Sequence, residues 1–171
     1  MFRQISTAAA LTLALTTSAA ITPAAAQDDA LVTFQVLAPS LAVQLASAAM
    51  EDCNQRGFQV AVAVVDRFGV AQALVRDRFA GAHTPDTAIR KAWTAVSFRS
   101  DTLELAAVTE SGAPQSGARD ITNALMLGGG VLISVGGTIV GAVGVSGAPG
   151  GEEDEACARA GIEAIQDQLP L

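Results

Sequence analysis

The sequence predicts an α+β domain, an antiparallel β-sheet flanked by helices in the order α-β-β-α-α-β-β-α. Three observations carry this. Two β-branched stretches, 58–77 and 128–147, each turn back on themselves through a glycine-containing turn. Helical patterns lie before, between and after them. Strands and helices do not alternate singly, so the βαβ rhythm of a parallel sheet is missing. At 171 residues, 50% hydrophobic and 16% charged, the chain is long enough for a buried core and too apolar for intrinsic disorder.

The first helix is expected over 36–56, where Leu37, Leu41, Leu45 and Ala49 recur at i+4, with a restart after Pro39 and a stop at Gly57. A first strand (FQVAVAVVD), the turn Asp66-Arg67-Phe68-Gly69 and a second strand (VAQALVRD) follow as a hairpin. Asp66 reads as a turn residue rather than an acid catalyst. In GAHTPDTAIRKAWTAVSF, Thr84 is the expected N-cap and Pro85 the first helical residue, with Ile89, Ala92, Trp93 and Val96 facing the core. A shorter helix begins near Ser100 or Asp101. A Gly/Ser/Pro loop (111–118) and a weak helical turn (119–126) come next. The second hairpin pairs VLISV with TIVGAVGVS around Gly136-Gly137. The last helix opens on four acids, which suit a helix N-terminus, and carries the stripe Ala158, Ile162, Ile165 and Leu169.

Residues 1–26 read as a secretory signal: Arg3 precedes an apolar run over 8–21, and Ala24-Ala25-Ala26 offers an A-x-A cleavage site. The run is shorter than the ~20 residues of a membrane span and is diluted by Thr16, Thr17 and Ser18. The expected product is a single domain, 27–171, with no stable membrane span, in the periplasm or secreted. Cleavage leaves nine basic against 17 acidic residues, a net charge of −8. An acidic chain without a Lys/Arg block is a poor binder of phosphate backbones, so no nucleic-acid partner is expected. The oxidising address permits a Cys53–Cys157 disulfide. If the first and last strands are antiparallel neighbours, the terminal helices also run antiparallel and the two cysteines approach. The alternative is two separately buried thiols.

GGTIVGAVGVSG lacks both the Lys-Ser/Thr ending of a P-loop and the G-x-G-x-x-G spacing. Its glycines are read as admitting a neighbouring backbone or a flat ligand, or as allowing a bend. His83 is the only histidine, which excludes a zinc cage of several imidazoles and suits one axial position on haem iron, a general base, or a solvated loop. Lys91 is the only lysine among ten basic residues and has no carboxylate at i±3 or i±4. It is expected either as an unpaired anchor for a ligand carboxylate or as a solvated flank residue. Arg90, by contrast, has Asp86 four residues back.

Four stretches in order, VAVAVVDRFGV, TAIRKAWTA, GGGVLISVGGTIVGAVGVSG and GEEDEACARAG, resemble the GlcG/HbpS-like (DUF336) family over about residues 34–168. Members often carry Pro after the glycine cluster, where this chain has Val131-Leu132-Ile133. The resemblance implies an α/β sandwich on an antiparallel sheet, a homo-oligomer, and functions that range from secreted haem binding and sensor-kinase partnership to a domain appended to cobalamin adenosyltransferases and a protein encoded with glycolate oxidation. It favours haem (or a related tetrapyrrole) as the cofactor. On that reading His83 is the metal ligand, Arg90 or Lys91 meets the propionates, and the Gly-lined sheet faces the ring. His83 comes here from the residues, not from the family. The alternative is a small-molecule enzyme or binder for a hydroxy- or keto-acid, with Lys91 on the carboxylate and His83 as acid–base. A blander option is a structural or sensory partner whose oligomer surface is its function.

Overall fold

A computed structural model describes residues 31–170, and Phe34–Leu171 forms one compact unit. The expected signal segment, 1–26, lies outside the described residues. The elements are α1 (Pro39–Gln55), β1 (Ala61–Asp66), β2 (Ala71–Arg76), α2 (Thr84–Phe98), α3 (Thr102–Val108), β3 (Gly130–Val135), β4 (Thr138–Ser146) and α4 (Gly151–Glu163). The order is the expected one. The strands form one antiparallel sheet, β2-β1-β4-β3. The outer strand of each hairpin lies at an edge, and the inner strands pair Ala61 with Ser146 through Asp66 with Gly141.

Alternation along these strands sends two kinds of side chain to two faces. Val62, Val64, Ile133, Val143 and Val145 pack under α1 and α4 with Leu45, Ala49, Ala158 and Ile165. Ala61, Ala63, Val65 and Ala142 face α2, meeting Ala88, Ala92, Ala95 and Val96. Cys53 and Cys157 are bonded, with their Cα atoms 5.5 Å apart, and join α1 to α4. The antiparallel pairing of β1 with β4 is what brings these helices together.

Some local expectations move. Helix α1 starts at Pro39, three residues after the predicted start, with Leu37 buried ahead of it. Thr84 is not the cap: His83 holds that position, and the Thr84 hydroxyl donates back to the Gly81 carbonyl at 2.8 Å. The buried face of α2 runs through Ala88, Lys91, Ala92, Thr94 and Ala95, while Ile89 and Trp93 are only half-buried. The helical turn lies at Ser116–Asp120, not at 119–126. Asp66 is a turn residue, as expected: its Oδ1 accepts the amides of Phe68 and Val70 at 2.8 and 3.0 Å.

The strand glycines admit a backbone, not a ring. A Cβ on Gly144 would overlap the Ala88 carbonyl of α2, so the glycine lets the helix sit directly on the sheet. The expectation that this Gly-lined sheet face meets a flat ligand is therefore corrected: α2 covers it.

Candidate functional site

The first residues of α2, the loop after β4 and the start of α4 surround a cleft of about 420 Å³ that is open on one side. Three sequence-singled residues meet there, His83, Arg90 and Lys91. They arrive at different depths. His83 ends the GAHT loop and is exposed at the mouth. No hydrogen bond engages its imidazole among the described residues. A Cβ on Gly81 would lie 2.7 Å from the His83 Cε1, so the ring rests against bare backbone.

Arg90 does not pair with Asp86. Its Nε and Nη2 donate to the Asn123 and Ala124 carbonyls at 3.4 and 3.0 Å, tying down the loop that carries Leu125 and Leu127 into the cleft wall. Thr94 holds the same loop: its hydroxyl accepts the Leu125 amide at 2.9 Å while donating to the Arg90 carbonyl at 2.7 Å. A guanidinium has five N–H donors, so Arg90 keeps some unspent.

Lys91 is neither unpaired nor solvated. It is 1% exposed, and its Nζ donates to Asp154 Oδ2 at 2.7 Å and to the Val145 carbonyl at 3.0 Å. The other oxygen of Asp154 accepts the Ala148 amide at 3.0 Å, which fixes the loop between β4 and α4. Both groups bordering the cleft are pushed towards their neutral forms. Burial lowers the Lys91 ammonium from the ordinary lysine value against the pull of Asp154, and burial raises the Asp154 carboxyl against the pull of Lys91. One short bond with satisfied neighbours is what keeps such a pair tolerable inside a protein.

Asp154 is the residue that reading the sequence missed. It sits inside an acidic run that local rules assign to the helix N-terminus, and its partner is 63 positions away. A signal did exist: a lone lysine without a local carboxylate, on a helix face of small residues, points to a distant one. Ser146 was missed too. It is 4% exposed, lines the cleft, and no hydrogen bond engages its hydroxyl among the described residues. A second groove of about 410 Å³, between Phe34–Leu41 and the chain's C-terminal end, has no titratable side chain in its lining and so offers no ligating or acid–base group. No group of three or more His, Cys, Asp or Glu residues able to hold a metal occurs among the described residues. No described helix is long and apolar enough to cross a membrane.

These features define an α+β sandwich with a charged cleft where two helices begin beside one end of the sheet. The chain belongs to the HbpS-like family: a family model described as haem degrading protein HbpS-like matches residues 37–163. A double mutant of HbpS from Streptomyces reticuli is 38% identical, with a TM-score of 0.75 over 85% of this chain and 98% of that one. A structure described as a PduOC:heme complex is 32% identical, with a TM-score of 0.71 over 76% of this chain and 95% of that one. The corrinoid adenosyltransferase PduO of Salmonella typhimurium is 33% identical over 124 residues, 71% of this chain. The chain spans 37% of that curated relative's length.

Proposed function

We propose that this chain is a haem-binding protein, exported to the periplasm or beyond, that takes haem at the cleft between α2 and α4. One observation carries the reading: the sole imidazole stands exposed, with no hydrogen bond among the described residues, at a cleft whose lining includes Leu125, Leu127, Pro149 and a guanidinium. Haem, when bound, supplies an iron whose reactivity is set by its axial ligand and surroundings. The residues present fit that group. His83 offers a neutral nitrogen, Arg90 has donors left for a propionate, and Leu125, Leu127 and Pro149 supply apolar contact. Family membership and the haem complex of a related structure support the same cofactor.

The second reading, catalysis on a hydroxy- or keto-acid, lacks an oriented acid–base, and Lys91 keeps only one of its three donors for a carboxylate. Lys91 is held by Asp154, and among the described residues nothing hydrogen-bonds His83 to orient it as an acid–base. Export rests on the signal-like segment 1–26. Homo-oligomerisation rests on the resemblance to the HbpS-like family, which implies it. Light scattering of the signal-free protein with and without hemin tests it, and a monomer in both conditions would exclude it.

A hemin titration followed by absorbance tests the cofactor. A saturable Soret band that shifts and weakens by tenfold or more in His83→Ala, with the far-ultraviolet circular dichroism unchanged, is the expected result. An identical spectrum and affinity in the variant would remove His83 as the ligand, and a flat titration of the parent protein would remove haem.

A further inference from the structure

The cleft's inner end has donors that iron ligation does not use. Ser146 closes β4 on the face turned towards α2, opposite Ala61. Its side chain is almost fully buried, yet its hydroxyl has no partner among the described residues. Ser146 lines the cleft, so this hydroxyl is open to whatever occupies it and keeps its donor for that group. Beside it, the Lys91 ammonium spends two of its three N–H donors, on Asp154 and on the carbonyl of Val145, the residue next to Ser146. The third donor has no partner among the described residues.

The 13-residue helix α4 also begins here. Gly150 and Gly151 line the cleft, no side chain caps this end, and the Gly151 amide has no partner among the described residues. An uncapped helix start favours a negative group. Charge agrees: Arg90 and Lys91 against Asp154 leave the lining with one net positive charge on a chain whose formal net charge is −7. The acids in the first turns, Asp86, Glu152 and Glu153, do not line it.

We propose that the inner end of the cleft is a carboxylate subsite, formed by the Ser146 hydroxyl, the third N–H of the Lys91 ammonium and the free amide at the start of α4. Two sources share this chemistry, a propionate of a bound tetrapyrrole and a free small acid. In the first case the inference deepens the proposed function and rests on it. In the second it stands alone.

Two substitutions at one position read the subsite. Ser146→Ala removes a donor to a charged group and is expected to weaken carboxylate binding about tenfold. Ser146→Asp places a competing carboxylate there and is expected to abolish it. Each is titrated with hemin, with hemin dimethyl ester (which lacks both carboxylates) and with glycolate, after circular dichroism confirms the fold. If the aspartate variant does not fold, the alanine variant carries the test.

A propionate source predicts that hemin loses at least tenfold while the ester binds parent and variant alike. A free-acid source predicts that glycolate binding to the parent is lost in the variant with hemin unchanged. Carboxylate affinities indifferent to Ser146, or no binding of hemin or glycolate to the parent, would overturn the subsite. Failure of haem binding alone, with glycolate bound in a Ser146-dependent way, would sink the haem reading and leave the subsite standing.

Discussion

The two faces of the sheet use different chemistry. Under α1 and α4 the sheet presents Val and Ile to Leu, Ile and Ala of the helical layer, and a disulfide ties the two helices. Under α2 it is made by Ala and Gly, with a buried ion pair at the end where the cleft opens. Burial of apolar area drives folding, so the first face carries most of the hydrophobic stabilisation. Small side chains on the second let α2 approach closely, and that approach carries Lys91 to Asp154 and sets His83 at the rim. One face holds the fold and the other shapes a site. Variants on the two faces should therefore separate stability from binding.

The largest expected effect is on the first face. The bond between Cys53 and Cys157 closes a loop with a sequence separation of 104. In the chain-entropy picture a loop near that length is worth about 4.7 kcal/mol. Replacing both cysteines by alanine should lower the unfolding free energy by roughly that much in urea denaturation, while the molecules still folded keep the hemin affinity of the parent. A loss below about 1 kcal/mol would show that the apolar core alone holds the two helices together.

Next comes the ion pair. Asp154→Ala strands a buried ammonium and should cost about 3 kcal/mol or more, whereas Lys91→Met combined with Asp154→Ala should regain much of it. A double variant no better than the single would mean that the bond to the Ala148 amide matters more than the charge. The pair also predicts a pH signature. The Lys91 ammonium is lowered in the fold. Between that lowered value and the ordinary lysine value the unfolded chain binds more protons, so stability rises with pH. Asp154 is raised. Between the ordinary carboxylate value and its raised one the folded chain binds more protons, so stability falls as pH rises. The uncharged double variant should lose both slopes. Persistence of either would assign it to another group.

How much of this was legible in the sequence follows the same division. Both hairpins and the element order rest on local patterns, namely β-branched runs, turn glycines and i+4 stripes, and they were readable. The proximity of Cys53 to Cys157 needed the further condition that the first and last strands pair, which they do. The face of α2 was not. Ile89 and Trp93 have the hydropathy of core residues, but a sheet surface of Ala61, Ala63 and Gly144 leaves room for small residues and takes Ala88, Ala92 and Ala95 instead. Asp154 and Ser146 were hidden because their roles depend on groups distant in the sequence, which helix-terminus and strand-alternation rules do not see. His83, Arg90 and Lys91 were singled out because two of them are unique in the composition, and the fold brings all three to one cleft from α2 and the residue before it. Their depths in the cleft, and what holds each of them, came only from the packing.

A smaller effect is expected at the contact that lets α2 lie close. In Gly144→Ala the added methyl overlaps the Ala88 carbonyl, and α2 must shift to relieve it. Overpacking of this kind costs about 1–3 kcal/mol. Because the shift moves the helix that carries Lys91 and positions His83, the variant should weaken hemin binding along with stability, unlike the cysteine pair. Unchanged affinity with reduced stability would mean that the cleft does not depend on how closely α2 sits.

The smallest stability change, and the sharpest separation of the two properties, is expected at Gly81. It lies in the exposed loop before α2, and a new Cβ there would meet only the His83 ring, at 2.7 Å from Cε1 and 2.9 Å from Nδ1. A side chain at the surface can turn away where a backbone cannot. Gly81→Ala should therefore leave the unfolding free energy within about 0.5 kcal/mol of the parent. The same methyl evicts the imidazole from its resting place, so an iron bound through His83 should show a changed Soret position and a weaker hemin affinity. His83→Ala supplies the control: on that background Gly81→Ala should change nothing further. A spectral change that persists without the histidine would mean that the loop backbone, not the imidazole, touches the bound group.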